Sequence, residues 1–268
     1  MVNLLAAAAL AAATPAAAPP QADEPAMFVV QDADTIVYLF GTFHALDGNP
    51  SWFDRGVRSA FEQSDELVLE TLLPEGPGPI IPGTRALPIR PPSVTPSASF
   101  LATTRMAINA GHAQGMKIDN GADMVLRHVA EAEGKNVEGL ETLEFQLNMF
   151  NSMPPAAAPP TAATPRSGGP AAEQPMQSLS KTMGEMQSAW KRGDQSVFVQ
   201  LLDQLRNGSP DTYRMMFTER NARWADWIAA RMQTPGTVFV AVGAGHLAGK
   251  DSVLVRLAEK GIESQRAN

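Results

Sequence analysis

From Met27 onward the chain alternates short runs of β-branched and aromatic residues with longer stretches whose apolar positions fall three and four apart. Met27 to Val30 and Ile36 to Phe40, separated by the turn residues Asp32 to Asp34, predict a hairpin or two adjacent strands. Asp54 to Ser64 predicts a helix with Val57, Ala60 and Phe61 on one face, and Leu67 to Glu70 a short buried strand. From Leu73 to about Ser99 proline is frequent and no period is visible, which predicts a long loop or lid that either flanks a site or is degenerate. Regular patterning returns at Ala122, with Val125 and Val129 in a helix ended by Gly134. Asn136 to Glu141 reads as another strand, and Leu143, Leu147 and Phe150 as a helical face. Pro154 to Pro175, rich in Pro, Ala and Gly, reads as a surface loop.

The C-terminal part predicts helix, strand, helix. Leu179, Met183, Met186 and Trp190 keep helical spacing, Gly193-Asp194 reads as a stop and a new N-cap, and Val197, Phe198, Leu201, Leu202 and Leu205 form the next apolar face. One longer helix is expected over Asp211 to Met232, a buried strand over Thr237 to Val242 and a closing helix over Ser252 to Lys260. Ile262 to Ala267 is a poor strand. No repeat of solenoid-like period is visible.

Composition narrows the classes. The 268 residues suffice for one large domain or two small ones with a sizeable core. The charge of -7 is spread along the chain, and no basic stripe or arm suggests nucleic acid. There is no cysteine, which excludes disulfides, thiolate metal sites and a thiol nucleophile. Leu4 to Ala13 is a short apolar run followed by Thr14, Pro15 and alanines, but no basic residue precedes it. It reads as a secretory signal remnant or as a disordered Ala/Pro leader, over residues 1–25, ahead of one domain at 26–268 with Pro-rich loops near 73–99 and 154–175. The first reading places the protein in the periplasm or outside the cell. The run is too short to span a membrane, and no other segment of the chain has the length and apolarity to do so.

The candidate chemistry sits where strands end. Tyr38-Leu39-Phe40-Gly41-Thr42-Phe43-His44 and Val240-Ala241-Val242-Gly243-Ala244-Gly245-His246 share one layout, an apolar strand, a glycine and a histidine three residues on. Strand C-termini are where α/β folds place their sites, and neutral imidazole is both a metal ligand and a general base. Gly243, Gly245 and Gly249 miss the dinucleotide-binding spacing. Glu70 and Glu141 each close an apolar strand, where a carboxylate either joins a site or faces solvent; with the two histidines they make up a mixed N/O metal set. Arg220 falls on the apolar stripe of Tyr213, Phe217, Trp224 and Ile228, whereas Arg223 and Asp226 fall off it. A core-facing guanidinium needs a partner, which is a site carboxylate, a substrate oxyanion or a structural ion pair; Asn221 beside it adds a hydrogen bond. His112 and His128 lack such contexts and read as structural, and the methionines from Met176 to Met186 read as core filling.

Several of these segments together resemble one family. Strand-Gly41-Thr42-Phe43-His44, then Ser64-Asp65-Glu66-Leu67-Val68-Leu69-Glu70, looks like the opening of TraB/PrgY/GumN proteins. Gly121-Ala122-Asp123, Gly134 to Thr142 and Gln146 look like their middle motif; Trp190 to Asp194, Arg220-Asn221 with Trp224, and Val240 to Gly249 look like their C-terminal motifs. The family is similar to Tiki proteins, described as metal-dependent proteases with paired Gly-x-x-His motifs, and more distantly to erythromycin esterases and haem-binding ChaN proteins. The resemblance implies an α/β (or α+β) fold, a central mixed sheet surrounded by helices. It implies a site of His44, Glu70, Glu141, Arg220 and His246, with Asp123 and Gln146 as further members. The Pro-rich stretch after Glu70 departs from the family, which is helical there.

The expected function is a divalent-metal-dependent hydrolase of a peptide or a related amide or ester. His44, His246 and Glu70 would hold Mn, Co or Zn, Glu141 would activate water and Arg220 would steady the oxyanion. The alternative is a non-enzymatic binding protein for a peptide signal or a haem-like ligand. A third is a scaffold whose site residues form a buried polar network.

Overall fold

The computed structural model describes residues 23–53, 55–72, 98–153 and 173–268. Its frame is one mixed six-stranded sheet in the order β4-β3-β5-β2-β1-β6. The strands are β1 (Met27–Gln31), β2 (Thr35–Thr42), β3 (Glu66–Thr71), β4 (Asn136–Glu141), β5 (Gly236–Gly243) and β6 (Gln265–Arg266). β1 pairs antiparallel with β2, as a hairpin must, while β2, β5, β3 and β4 run parallel. The weak C-terminal segment contributes only a two-residue edge strand on β1.

Alternation along the buried strands feeds two separate cores, as expected for a sheet covered on both faces. Phe40, Leu67, Leu69, Phe239 and Ala241 pack with α1 (Arg55–Glu62), α3 (Ala122–Ala132), α5 (Glu173–Lys191) and α6 (Ser196–Gly208). Val37, Leu39, Val68, Val238, Val240 and Val242 pack on the other face with α8 (Glu219–Arg231) and α9 (Val253–Ala258). Trp52 and Trp190 are buried in the first core around Phe40, and Trp224 in the second.

Four expectations are corrected. The region preceding Ala122 is not wholly irregular, because Ala98–His112 forms helix α2 against α5. It carries small and polar residues among few buried ones, so no apolar stripe marks it. The second Pro-rich segment ends earlier than Pro175, since α5 starts at Glu173; the remainder, 154–172, and 73–97 lie outside the described residues, as does 1–22. Asp194 does accept from Ser196 N–H at 2.9 Å, but Gln195 occupies the N-cap of α6.

The fourth concerns the long helix, which is three pieces. A short α7 (Pro210–Tyr213) runs into a π-helical turn over Arg214–Thr218 and then into α8. In that turn Glu219 N–H closes on the Arg214 carbonyl, five residues back. Directly after β4, α4 (Leu143–Ser152) starts at Thr142, whose hydroxyl caps it by accepting from Phe145 N–H.

Candidate functional site

Because β4, β3, β5 and β2 are parallel, their C-terminal ends lie side by side at one edge of the sheet. Glu141 ends β4, Glu70 lies one residue before the end of β3, and Gly243 ends β5 directly opposite Thr42 of β2. His246 follows on a tight 3₁₀ turn and His44 in the loop after β2. The edge therefore orders the side chains as Glu141, Glu70, His246 and His44.

Gly243 marks where three of them meet. A methyl group built there would lie 3.2 Å from His44 Nε2, 3.5 Å from Glu70 Oε2 and 3.6 Å from His246 Cδ2. The glycine keeps that cradle open, and its N–H donates to Glu70 Oε2 at 3.2 Å. His246 Nε2 is 3.9 Å from the same oxygen.

Each histidine has its other nitrogen set by an oxygen. His44 Nδ1 lies 3.2 Å from Asp123 Oδ1, and His246 Nδ1 lies 2.6 Å from Asn221 Oδ1. Both oxygens accept, so Nδ1 carries the proton and Nε2 is turned to the site, the arrangement that orients metal-ligating imidazoles. Asp123 is brought in by a close crossing. Ala122 N–H donates to the Phe43 carbonyl at 3.0 Å, and a side chain at Gly121 would meet the His44 carbonyl oxygen at 2.3 Å. Lys191 Nζ, 2.8 Å from Asp47 Oδ2, and Trp190 Nε1, 2.7 Å from the Gly41 carbonyl, pin the loop from the α5 side.

Arg220 is the brace of the site. Nε donates to both Glu141 oxygens at 3.1 and 2.9 Å and Nη2 to Glu70 Oε1 at 2.5 Å, while Nη2 makes an ion-pair contact with Glu141 Oε2 at 2.8 Å. Nη1 reaches the Met216 carbonyl, in the π-helical turn, at 3.2 Å and His246 Nε2 at 3.3 Å. Of the five N–H donors of a guanidinium four are hydrogen-bonded here, and Nη2 also faces Glu141 in an ion pair, so Arg220 is chiefly committed within the site. Glu141 is equally occupied. It also accepts from Arg223 Nη2 and Trp224 Nε1, both at 3.2 Å, and its side chain is 4% exposed. It is a fixed counter-ion rather than a free base. Glu70 differs, since Oε1 takes Arg220 and Gln146 Nε2 (3.2 Å), whereas Oε2 takes only Gly243 N–H.

Electrostatics separates the two imidazoles. Desolvation opposes charge on His44, but Asp123, by charge and hydrogen bond, and then Glu70 outweigh it and push the ring from 6.5 up to about 9. With 60% of that side chain open to water, solvent screens part of the attraction and leaves its sign. Burial drives His246 the other way, to about 3; Arg220 and His44 add to the drop and Glu70 works against it. For Glu70, burial opposes ionisation, yet His246, Arg220 and His44 hold its carboxyl down at about 2. His246 contributes only while protonated, so near neutrality Arg220 and His44 carry that effect.

The TraB/PrgY/gumN family model matches residues 26–78 and 85–266, nearly the whole chain. The chain belongs to the TraB/PrgY/gumN family. No curated protein and no solved structure gives a significant match to it.

For this TraB/PrgY/gumN member one imidazole nitrogen, one carboxylate oxygen and the Cδ2 edge of the His246 ring face a cradle that a single methyl would fill. Glu70 Oε2 has a lone pair to spare; His44 Nε2 gains one only when its imidazolium gives up a proton, and that of His246 Nε2 receives Arg220 Nη1. Among the described residues no three His, Asp or Glu side chains form a ready-made ion cluster. Thr42 Oγ1, buried opposite Gly243, has no partner there either. No helix of the described residues is long and apolar enough to cross a membrane.

Sequence reasoning missed Arg223 and the Trp224 indole as donors to Glu141, and the floor formed by Gly243. The Arg223 position, one turn after Arg220, was the available signal. His112 and His128 are exposed and remote from the cradle's contacts.

Proposed function

We propose that this TraB/PrgY/gumN member is a divalent-metal-dependent hydrolase of peptide or related amide or ester bonds. The observation that supports it best is the convergence of His44 Nε2, Glu70 Oε2 and the His246 ring within 3.2–3.6 Å of one point before Gly243. His44, Glu70 and His246 would hold the ion, with Mn, Co or Zn favoured by the mixed donors. A bound ion of this kind polarises a carbonyl and lowers the pKa of its water to about 7. The chain's own residues do the rest. Asp123 and Asn221 hold Nδ1–H of the two imidazoles, which directs Nε2 inward. Arg220, Gln146 and Gly243 N–H fix the Glu70 carboxylate, and Oε2 is the oxygen available to ligate or to take a proton from water. Hydrolysis then places hydroxyl on the acyl carbon and a proton on the leaving atom.

The commitment of Arg220 and Glu141 to each other favours a second reading, a non-enzymatic protein that orients a peptide signal or a haem-like ligand without turning it over. Metal analysis of the purified protein and of His44→Ala and His246→Ala separates the two. Near-stoichiometric metal lost in both variants, with cleavage of a peptide library by the wild type, supports the hydrolase. No metal after reconstitution with manganese, cobalt and zinc overturns it. The apolar run Leu4 to Ala13 and the small residues behind it support export to the periplasm or beyond. N-terminal mass analysis of the mature protein tests this, and an uncleaved cytoplasmic chain overturns it.

A further inference from the structure

We propose that Arg223 anchors the substrate: its guanidinium, stacked on Phe145 at the Glu141 end of the edge, takes the free C-terminal carboxylate of a peptide, a substrate class that rests on the hydrolase reading above. Charge and exposure are arranged for it. The carboxylates are recessed, with Glu141 4% and Glu70 18% exposed, whereas Arg223, at the Glu141 end, is cationic and turned outward.

Arg223 is also unlike its neighbour Arg220. Arg220 is buried and divides its single charge between Glu141 and Glu70. Arg223 gives Glu141 one contact, from Nη2 at 3.2 Å, and its side chain remains 46% exposed. Its Cζ lies 4.7 Å above the ring of Phe145, a side chain itself on the surface. Stacking on an aromatic fixes the plane of the fork while leaving N–H groups at its edge, the arrangement that suits bidentate carboxylate recognition. A relay of contacts through Glu141 and Arg220 joins Arg223 to Glu70. Two to three extended residues, roughly 3.5 Å each, cover such a span. The anchored carboxylate would then set which bond reaches the cradle, and cleavage would release a short C-terminal fragment.

The test uses the full chain reconstituted with manganese, cobalt or zinc and an alanine–leucine hexapeptide, as the free acid and as the C-terminal amide. The wild type is expected to favour the acid by about tenfold in kcat/KM, chiefly through KM, as loss of a charge-assisted contact predicts. In Arg223→Gln that preference falls to about one, and Arg223→Lys, which keeps charge but not the fork, retains part of it. Equal rates in the wild type overturn the anchor and leave the hydrolase standing. A drop for both peptides in Arg223→Gln with the preference intact assigns the residue to structure alone and also overturns it. If neither peptide is cleaved, calorimetry with the same pair decides: Arg223-dependent preference for the acid upholds the anchor without the hydrolase, and no preference ends both.

Discussion

The two Gly-x-x-His segments leave neighbouring parallel strands one residue apart in register, Gly41 facing Val242 and Gly243 facing Thr42, and then meet opposite surroundings. His44 stands in a loop, open to water, with the carboxylate of Asp123 behind it, and is held protonated up to about 9. His246 lies under α8 between Phe217 and Trp224, ring centroids 4.9 and 4.4 Å away, with the neutral amide of Asn221 behind it, and is held uncharged down to about 3. The shared motif sets where the imidazole nitrogen points. Burial and the charge of the partner set whether it carries a proton.

The variant with the largest expected effect removes what both arms share. Arg220→Met leaves Glu70 and Glu141 buried without their cation, and should cost about 3–5 kcal/mol in urea unfolding. A loss below about 1 kcal/mol would mean that the brace does not organise the site. Gly121→Ala should strike one arm, since the new methyl meets the His44 carbonyl at 2.3 Å. We expect a loss of about 1–3 kcal/mol, with the His44 resonances displaced and those of His246 in place; displacement of both would merge the two arms into one unit.

His246→Gln sharpens the contrast through pH. The unfolded histidine takes a proton below 6.5 and the folded one only near 3, so the wild type loses stability as pH falls through that interval. Between neutral pH and about pH 5 the wild type should lose about 1–2 kcal/mol more than the variant. An identical loss in both would assign acid sensitivity elsewhere. The Glu70 contribution, fully present above its ordinary 4.5, is lost progressively as pH falls from there to about 2. The smallest effect is expected from Asp123→Asn, under about 1 kcal/mol at this exposed pair. Its readout is the NMR titration of His44, which should fall from about 9 toward the ordinary 6.5 while His246 stays unprotonated. A His44 titration that stays put would show Glu70, not Asp123, to be its controlling charge.

Much of this was legible in the chain because it depends on local pattern. Strand runs, glycines at strand ends and a guanidinium on an apolar stripe are properties of neighbouring residues, and they located β2, β3, β4, β5 and Arg220. α2 was not legible, because it lies against α5 with few buried side chains and so lacks a hydrophobic period. The state of Arg220 and Glu141 was not legible either. Residue types place a carboxylate and a cation at a site, but only the contacts of β4 with α8 reveal that Arg220 and Glu141 are committed to each other. Glu70, in an equivalent strand-end position, keeps a freer oxygen because it accepts a backbone N–H there.

The π-helical turn at Arg214–Thr218 gives the segment from Pro210 to Arg231 an irregular count. With it, Tyr213 before the turn and Asn221 after it both reach Asp251, at 3.0 and 2.7 Å. Deleting one residue from the turn would restore even winding and swing Tyr213 by about 100° relative to Arg220. Inheritance can therefore change the letters of this stretch far more freely than it can change their number.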